Sequence, residues 1–118
     1  MKNQEHQEQV AFFNWFRLGY PKKLAFAIPN GGKRNLIVAK KIKAEGGLAG
    51  VPDIMIASAN GVYHGMFIEM KHGKNKPTES QEKVMAQLKA EGYKVEVCYS
   101  WADAADAVSA YFRNSTNA

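Results

Sequence analysis

Residues Val51-Pro52-Asp53-Ile54-Met55-Ile56-Ala57 and Tyr63-His64-Gly65-Met66-Phe67-Ile68-Glu69-Met70-Lys71 form two apolar runs on either side of Asn60-Gly61. An Asn-Gly pair between apolar runs is a strong hairpin signal, because both residues tolerate the positive φ of a tight turn. Folding the chain about Gly61 sets Asp53 opposite Glu69. Side chains alternate along a strand, so opposed residues share a face, Lys71 joins Glu69, and Met70 points away. The open end of the hairpin therefore gathers two carboxylates and one ammonium on strands otherwise built for a core.

Such a cluster opposes folding. Neighbouring carboxylates repel, and each resists leaving water. A divalent cation removes the repulsion, and Mg²⁺ is a hard ion that binds through one or two carboxylates while keeping water.

Downstream of the hairpin, His72-Gly73-Lys74-Asn75-Lys76-Pro77 is a basic loop. Lys74 and Lys76 are expected to meet phosphates, and His72, next to Lys71, is the histidine best placed to join them; His6 and His64 are weaker candidates. Thr78 and Gln81 have the spacing of a capping box. Gln81 reads either as that capping partner or as a neighbour of the Glu69/Lys71 strand end. The helix continues through Val84, Met85 and Leu88 to Gly92. Tyr93 to Tyr99 alternates apolar and polar residues and predicts a strand. Ser100 or Asp103 opens a last helix through Ala104, Ala105, Val108, Tyr111 and Phe112. The polar tail Asn114 to Ala118 is expected to fray.

Upstream, Gly46 to Gly50 ends a helix predicted over Asn35 to Glu45. Arg34, Lys41, Lys33 and Lys40 give there either a basic face or an ordinary solvated surface. Leu24 to Ile28 reads as a short buried strand running into Pro29-Asn30-Gly31-Gly32-Lys33-Arg34. This is either a plain tight turn or a glycine loop that brings Lys33 and Arg34 to phosphates; its spacing is not that of a P-loop. Gln4 to Leu18 suits a helix ended by Gly19 and Pro21. Glu5 shares a face with Gln9, Phe12 and Phe16, whereas Glu8 aligns with Phe12 and Trp15. Either acid reads as ordinary first-turn charge or as a functional group. The element order predicts an α/β protein, a single-domain α/β/α sandwich with a small mixed sheet over residues 1–118.

At 118 residues the chain suits one domain with one core, and 46% hydrophobic residues exclude a disordered chain. Lys and Arg exceed Asp and Glu by 16 to 11, a net charge of +5 that favours a polyanionic partner. The single Cys98 excludes an internal disulfide and a cysteine-rich zinc site, and its apolar run reads as a buried thiol. Neither a signal-peptide core nor a membrane-length apolar run is present, so no membrane partner is expected and a cytoplasmic location is, in the host if the chain is phage-encoded.

Together, the Glu5-to-Gln9 opening, Pro29-Asn30-Gly31-Gly32 with Arg34, Gly50-Val51-Pro52-Asp53, Ile68-Glu69-Met70-Lys71, and Thr78 with Gln81 resemble the VRR-NUC domain family of the PD-(D/E)xK nuclease superfamily, over nearly the whole chain and in the family's order. The resemblance implies a restriction-endonuclease-like core in a stand-alone member without room for a further DNA-binding domain. It implies a homodimer that cuts branched DNA, Holliday junctions in particular, in DNA repair or recombination. It assigns Asp53, Glu69, the Met70 carbonyl and Glu5 as ligands of Mg²⁺, with Mn²⁺ able to substitute and no small-molecule cofactor. Lys71 would orient or activate the attacking water, Gln81 would assist, and Asn30, Gly31, Gly32, Lys33, Arg34, His72, Lys74 and Lys76 would contact DNA. Glu8 stays open as the first-helix acid. The competing readings are a catalytically idle DNA-binding or assembly module on the same fold and, third, a sequence-specific restriction-type enzyme.

The homodimer expectation also has a physical basis. Phe12, Phe13, Trp15, Phe16, Trp101, Tyr111 and Phe112 are a large aromatic load for a small domain, so an interface drawing on the first helix, the last helix or both is expected, the alternative being that all seven rings fill the core of one chain.

Overall fold

The hairpin lies at the centre of a four-stranded sheet in a computed structural model that describes residues 2–29 and 36–114. β2 (Ile54–Ile56) and β3 (Met66–Met70) pair antiparallel, with Ile54 opposite Ile68, Met55 opposite Phe67 and Ile56 opposite Met66. Continued by one residue, that register brings Asp53 to Glu69, as the turn position predicts. The strands are shorter than the apolar runs because residues 57–65 leave the ladder instead of closing a tight turn. Asn60 is buried in that connection. Its Oδ1 accepts from the backbone N–H groups of Val62 and Tyr63 at 2.9 and 2.7 Å, and its Nδ2 donates to the Tyr111 carbonyl at 2.8 Å. One amide side chain thus shapes the turn and ties it to the last helix.

The full order is α1 (Lys2–Gly19), β1 (Ala25–Ala27), α2 (Leu36–Ala44), β2, β3, α3 (Glu79–Ala90), β4 (Lys94–Cys98) and α4 (Trp101–Arg113). Spatially the strands run β1-β2-β3-β4; β1 and β2 are antiparallel, β3 and β4 parallel, so the sheet is mixed. All five residues of β3 are buried, as a strand covered on both faces requires. On one face, Ile54, Ile56, Met66, Ile68 and Met70 pack with Phe12, Phe13 and Phe16 of α1 and with Ala104, Val108 and Tyr111 of α4. On the other, Phe67 and Val95 pack with Met85 of α3, flanked by Met55, Leu88 and Val97. Burying each such side chain is worth about 1.5–3 kcal/mol, so these two layers carry the fold.

Two expectations need correction. β1 was expected to be a buried strand over Leu24 to Ile28; it covers only Ala25–Ala27, and Leu24 and Phe26 are exposed. The reason is its place at the sheet edge: Ala25 packs against the core, but among the described residues α2 does not cover the strand, with Ile37 79% exposed. Nor does the core leave most of the seven aromatic rings for an interface. Phe12, Phe13, Phe16 and Tyr111 are buried, Trp15 and Phe112 pack against the same core, and Trp101 alone of the seven is exposed.

Candidate active site

Asp53 enters from the residue before β2, and Glu69 and Lys71 from the end of β3. Asp53 Oδ2 accepts the Met70 N–H at 2.7 Å, which ties the first carboxylate to the strand carrying the second. Glu69 shares the α3-facing side of β3 with Phe67, two residues earlier. Its Oε2 accepts from Gln81 Nε2 at 3.0 Å and pairs with Lys71 Nζ at 3.5 Å. Its Oε1 is buried with no hydrogen-bond partner.

Gln81 reaches Glu69 because α3 begins where it does. Thr78 caps the helix: its side chain accepts from the Gln81 N–H, and Gln81 Oε1 accepts from the Thr78 N–H at 2.9 Å. The amide thus uses its oxygen for the cap and its nitrogen for Glu69, so the two readings of Gln81 hold together. Gly50 lets the preceding loop approach this turn. Its φ is +93°, and a Cβ there would lie 2.5 Å from the Ser80 carbonyl oxygen.

A cavity of about 750 Å³ opens over these groups, lined by Glu5, Asp53, Glu69, Met70, Lys71 and Gln81, with α2 and residues 47–50 as the opposite wall. Glu5 therefore belongs to this cavity. Glu8 does not: its Oε1 accepts the Trp101 N–H at 2.6 Å and caps α4 from α1. Burial, then the charge of Asp53, pushes the Glu69 carboxyl up to about 7 against the pull of Lys71. Burial also raises Asp53, opposed by the Met70 N–H, with Glu5 adding to the rise.

The residues fit a hard divalent cation. The unpartnered, buried Glu69 Oε1 and a second carboxylate raised by burial are the donors that Mg²⁺ takes, one or two carboxylates with water completing its shell. Among the described residues no group of three His, Cys, Asp or Glu forms a ready cage, so Glu5 lines the cavity without completing a three-carboxylate cluster.

The model of the VRR-NUC domain matches residues 2–102. The chain belongs to the VRR-NUC domain family. A solved VRR_NUC domain protein is 27% identical, with a TM-score of 0.78 over 93% of this chain and 88% of that one. No curated protein matches. The family is of nuclease type, and in this VRR-NUC chain the predicted α/β/α core is present.

Of the remaining sequence-predicted residues, Asn30, Gly31, Gly32, Lys33 and Arg34 lie outside the described residues. His72 is partly buried beside Lys71, while Lys74 and Lys76 are exposed in the loop that follows. The thiol of Cys98 is buried and pushed up to about 12, which leaves it inert at neutral pH. His64 lies against Gly92 and Tyr93, in structural contact. Sequence reasoning missed the Tyr99 hydroxyl, which donates to the Asn75 carbonyl at 3.0 Å and fastens the basic loop. It also missed Glu8 as a cap, for which no local pattern exists. No described helix is long and apolar enough to cross a membrane.

Proposed function

We propose that this chain is a divalent-metal-dependent DNA endonuclease acting on branched DNA, Holliday junctions among them, as a homodimer. The carrying observation is Glu69: a carboxylate 3% exposed, raised by burial and by Asp53, with one oxygen unpartnered. A strand end built only for stability would not retain that arrangement, since replacing a buried charge with an apolar group is commonly stabilising.

Asp53 and Glu69 would hold Mg²⁺, with the Met70 carbonyl nearby and Glu5 as the third acid of the cavity. Bound there, the ion would supply Lewis acidity toward a phosphodiester and a hydroxide source at neutral pH. The Met70 N–H fixes the orientation of Asp53, and Gln81 that of Glu69. Lys71, paired with Glu69 at the mouth of the site, orients the attacking water and steadies charge developing on the phosphate oxygens. Water adds at phosphorus, the phosphorus–oxygen bond to the leaving group breaks, and the products are an alcohol and a phosphate monoester. Lys74, Lys76 and His72, with Lys33, Arg34 and the Asn30-Gly31-Gly32 loop, would meet the DNA backbone.

The deciding experiment is a cleavage panel of junction, flap, splayed arm, single strand and linear duplex, each with Mg²⁺, Mn²⁺ or EDTA. Cleavage of branched substrates with metal and none in EDTA is expected. Binding without cleavage under every condition would make the chain an idle module.

A further inference from the structure

Three aromatic side chains contact no other ring and no cation among the described residues: Phe26, Tyr99 and Trp101. Phe26 lies on β1, at the far edge of the sheet. Tyr99 and Trp101 flank Ser100 in the turn from β4 to α4, and are 39% and 38% exposed. Three hydrogen bonds set that turn beside the candidate site. The Lys71 N–H donates to the Cys98 carbonyl at 2.9 Å, immediately before Tyr99. The Tyr99 hydroxyl holds Asn75, between Lys74 and Lys76. The Trp101 N–H holds Glu8, one helical turn from Glu5.

The surroundings carry the charge that a nucleic acid needs. The loop 72–77 presents His72, Lys74 and Lys76 and holds no acid. Two of the nearby carboxylates are engaged by backbone donors: Glu8 accepts from Trp101, and Asp103 Oδ2 accepts the Tyr99 N–H at 3.1 Å. Exposed rings beside cations form the pattern that binds unpaired nucleotides, with bases stacked on aromatic faces and phosphates meeting ammonium groups. A duplex interior offers no free base face, whereas a branch point or frayed end does.

We propose that Tyr99 and Trp101 form a stacking subsite for unpaired nucleobases, with the 72–77 loop receiving the adjoining phosphates. The proposal deepens the nuclease reading and rests on it for the DNA partner. It gives a small chain a means of preferring branched over linear duplex DNA.

The test reads binding, not cleavage. In a Trp15→Phe background Trp101 is the sole tryptophan, and EDTA suppresses turnover. Titration with oligo-dT should quench its emission saturably, and a blunt duplex of equal charge should quench it less. In the otherwise native chain, Trp101→Ala should weaken oligo-dT binding about 5- to 150-fold, the range for loss of one stacked base. Duplex binding should change less than twofold, and the salt slope should hold, because no charge is removed. Trp101→Phe should retain most of the affinity. Oligo-dT binding by Trp101→Ala within twofold of the native chain overturns the proposal, as does equal loss on both DNAs, or quenching that follows protein concentration without DNA. Quenching by oligo-dT in a chain that cuts no DNA would sink the nuclease reading and leave the subsite standing. Cleavage without quenching would do the reverse.

Discussion

Glu69 keeps one carboxylate oxygen unpartnered in a nearly closed environment, and its carboxyl is pushed from the usual 4.5 up to about 7. The folded protein therefore holds a proton that the unfolded chain has already released across that window. Stability from this group is fully present below pH 4.5 and falls as pH rises toward 7. In EDTA at neutral pH, Glu69→Gln should be more stable than the native chain by roughly 1–3 kcal/mol, a gap that closes on acidification. Urea unfolding at several pH values measures this, and an unchanged gap would show that the buried charge is not responsible. The same variant, and Asp53→Asn, should lose cleavage while still binding DNA. Lys71→Ala should lower the rate by about 10² with the fold intact, the scale for one lost stabiliser of developing charge. Lys71→Arg should recover only part of it, since a planar fork does not replace a point charge.

At the scale of elements, α3 is positioned twice over, by its cap and by Gly50. Thr78→Ala should reduce stability by about 1 kcal/mol while leaving Gln81 within reach of Glu69. Gly50→Ala should do more damage, because a methyl group there meets the Ser80 carbonyl and the backbone has positive φ. If Gly50→Ala matches the native chain in both melting and cleavage, this close approach does not matter. These elements show what a sequence can disclose. The Thr78/Gln81 cap, the Ser100 cap and the hairpin register lie within a few residues or one turn, and local chemistry determines them. Burial of β1 does not, because it depends on what covers the strand, and α2 does not cover it. The bond from Glu8 to Trp101 spans 93 residues, and no spacing rule reaches that far.

At the scale of the molecule, the ring count misleads as an argument for assembly. The α4 rings find their neighbours inside one chain: Phe112 lies 4.9 Å from Tyr20, the residue just after α1, and Tyr111 and Phe112 meet edge to face at 5.2 Å. The homodimer reading then rests on symmetry, because two equivalent scissile positions in a junction match two copies related by a two-fold axis. Light scattering at cleavage-assay concentrations should give twice the chain mass; a monomer making paired cuts would remove the argument. Charge contributes over the whole surface. Lys74→Ala and Lys76→Ala should each shallow the log K against log salt slope by about 0.9 if the loop meets phosphates, and an unchanged slope in the double variant would place the DNA elsewhere. The hairpin has one more consequence, in time. Both carboxylates, the ammonium and Gln81 lie between residues 50 and 81, in a hairpin and the helix that follows it. If these contacts form before the folding barrier is crossed, the repulsion is met on the way to the native state, and it raises the barrier to refolding as well as weakening the product. In stopped-flow refolding without metal, Glu69→Gln should fold faster than the native chain, and Mg²⁺ present from the start should accelerate the native chain alone.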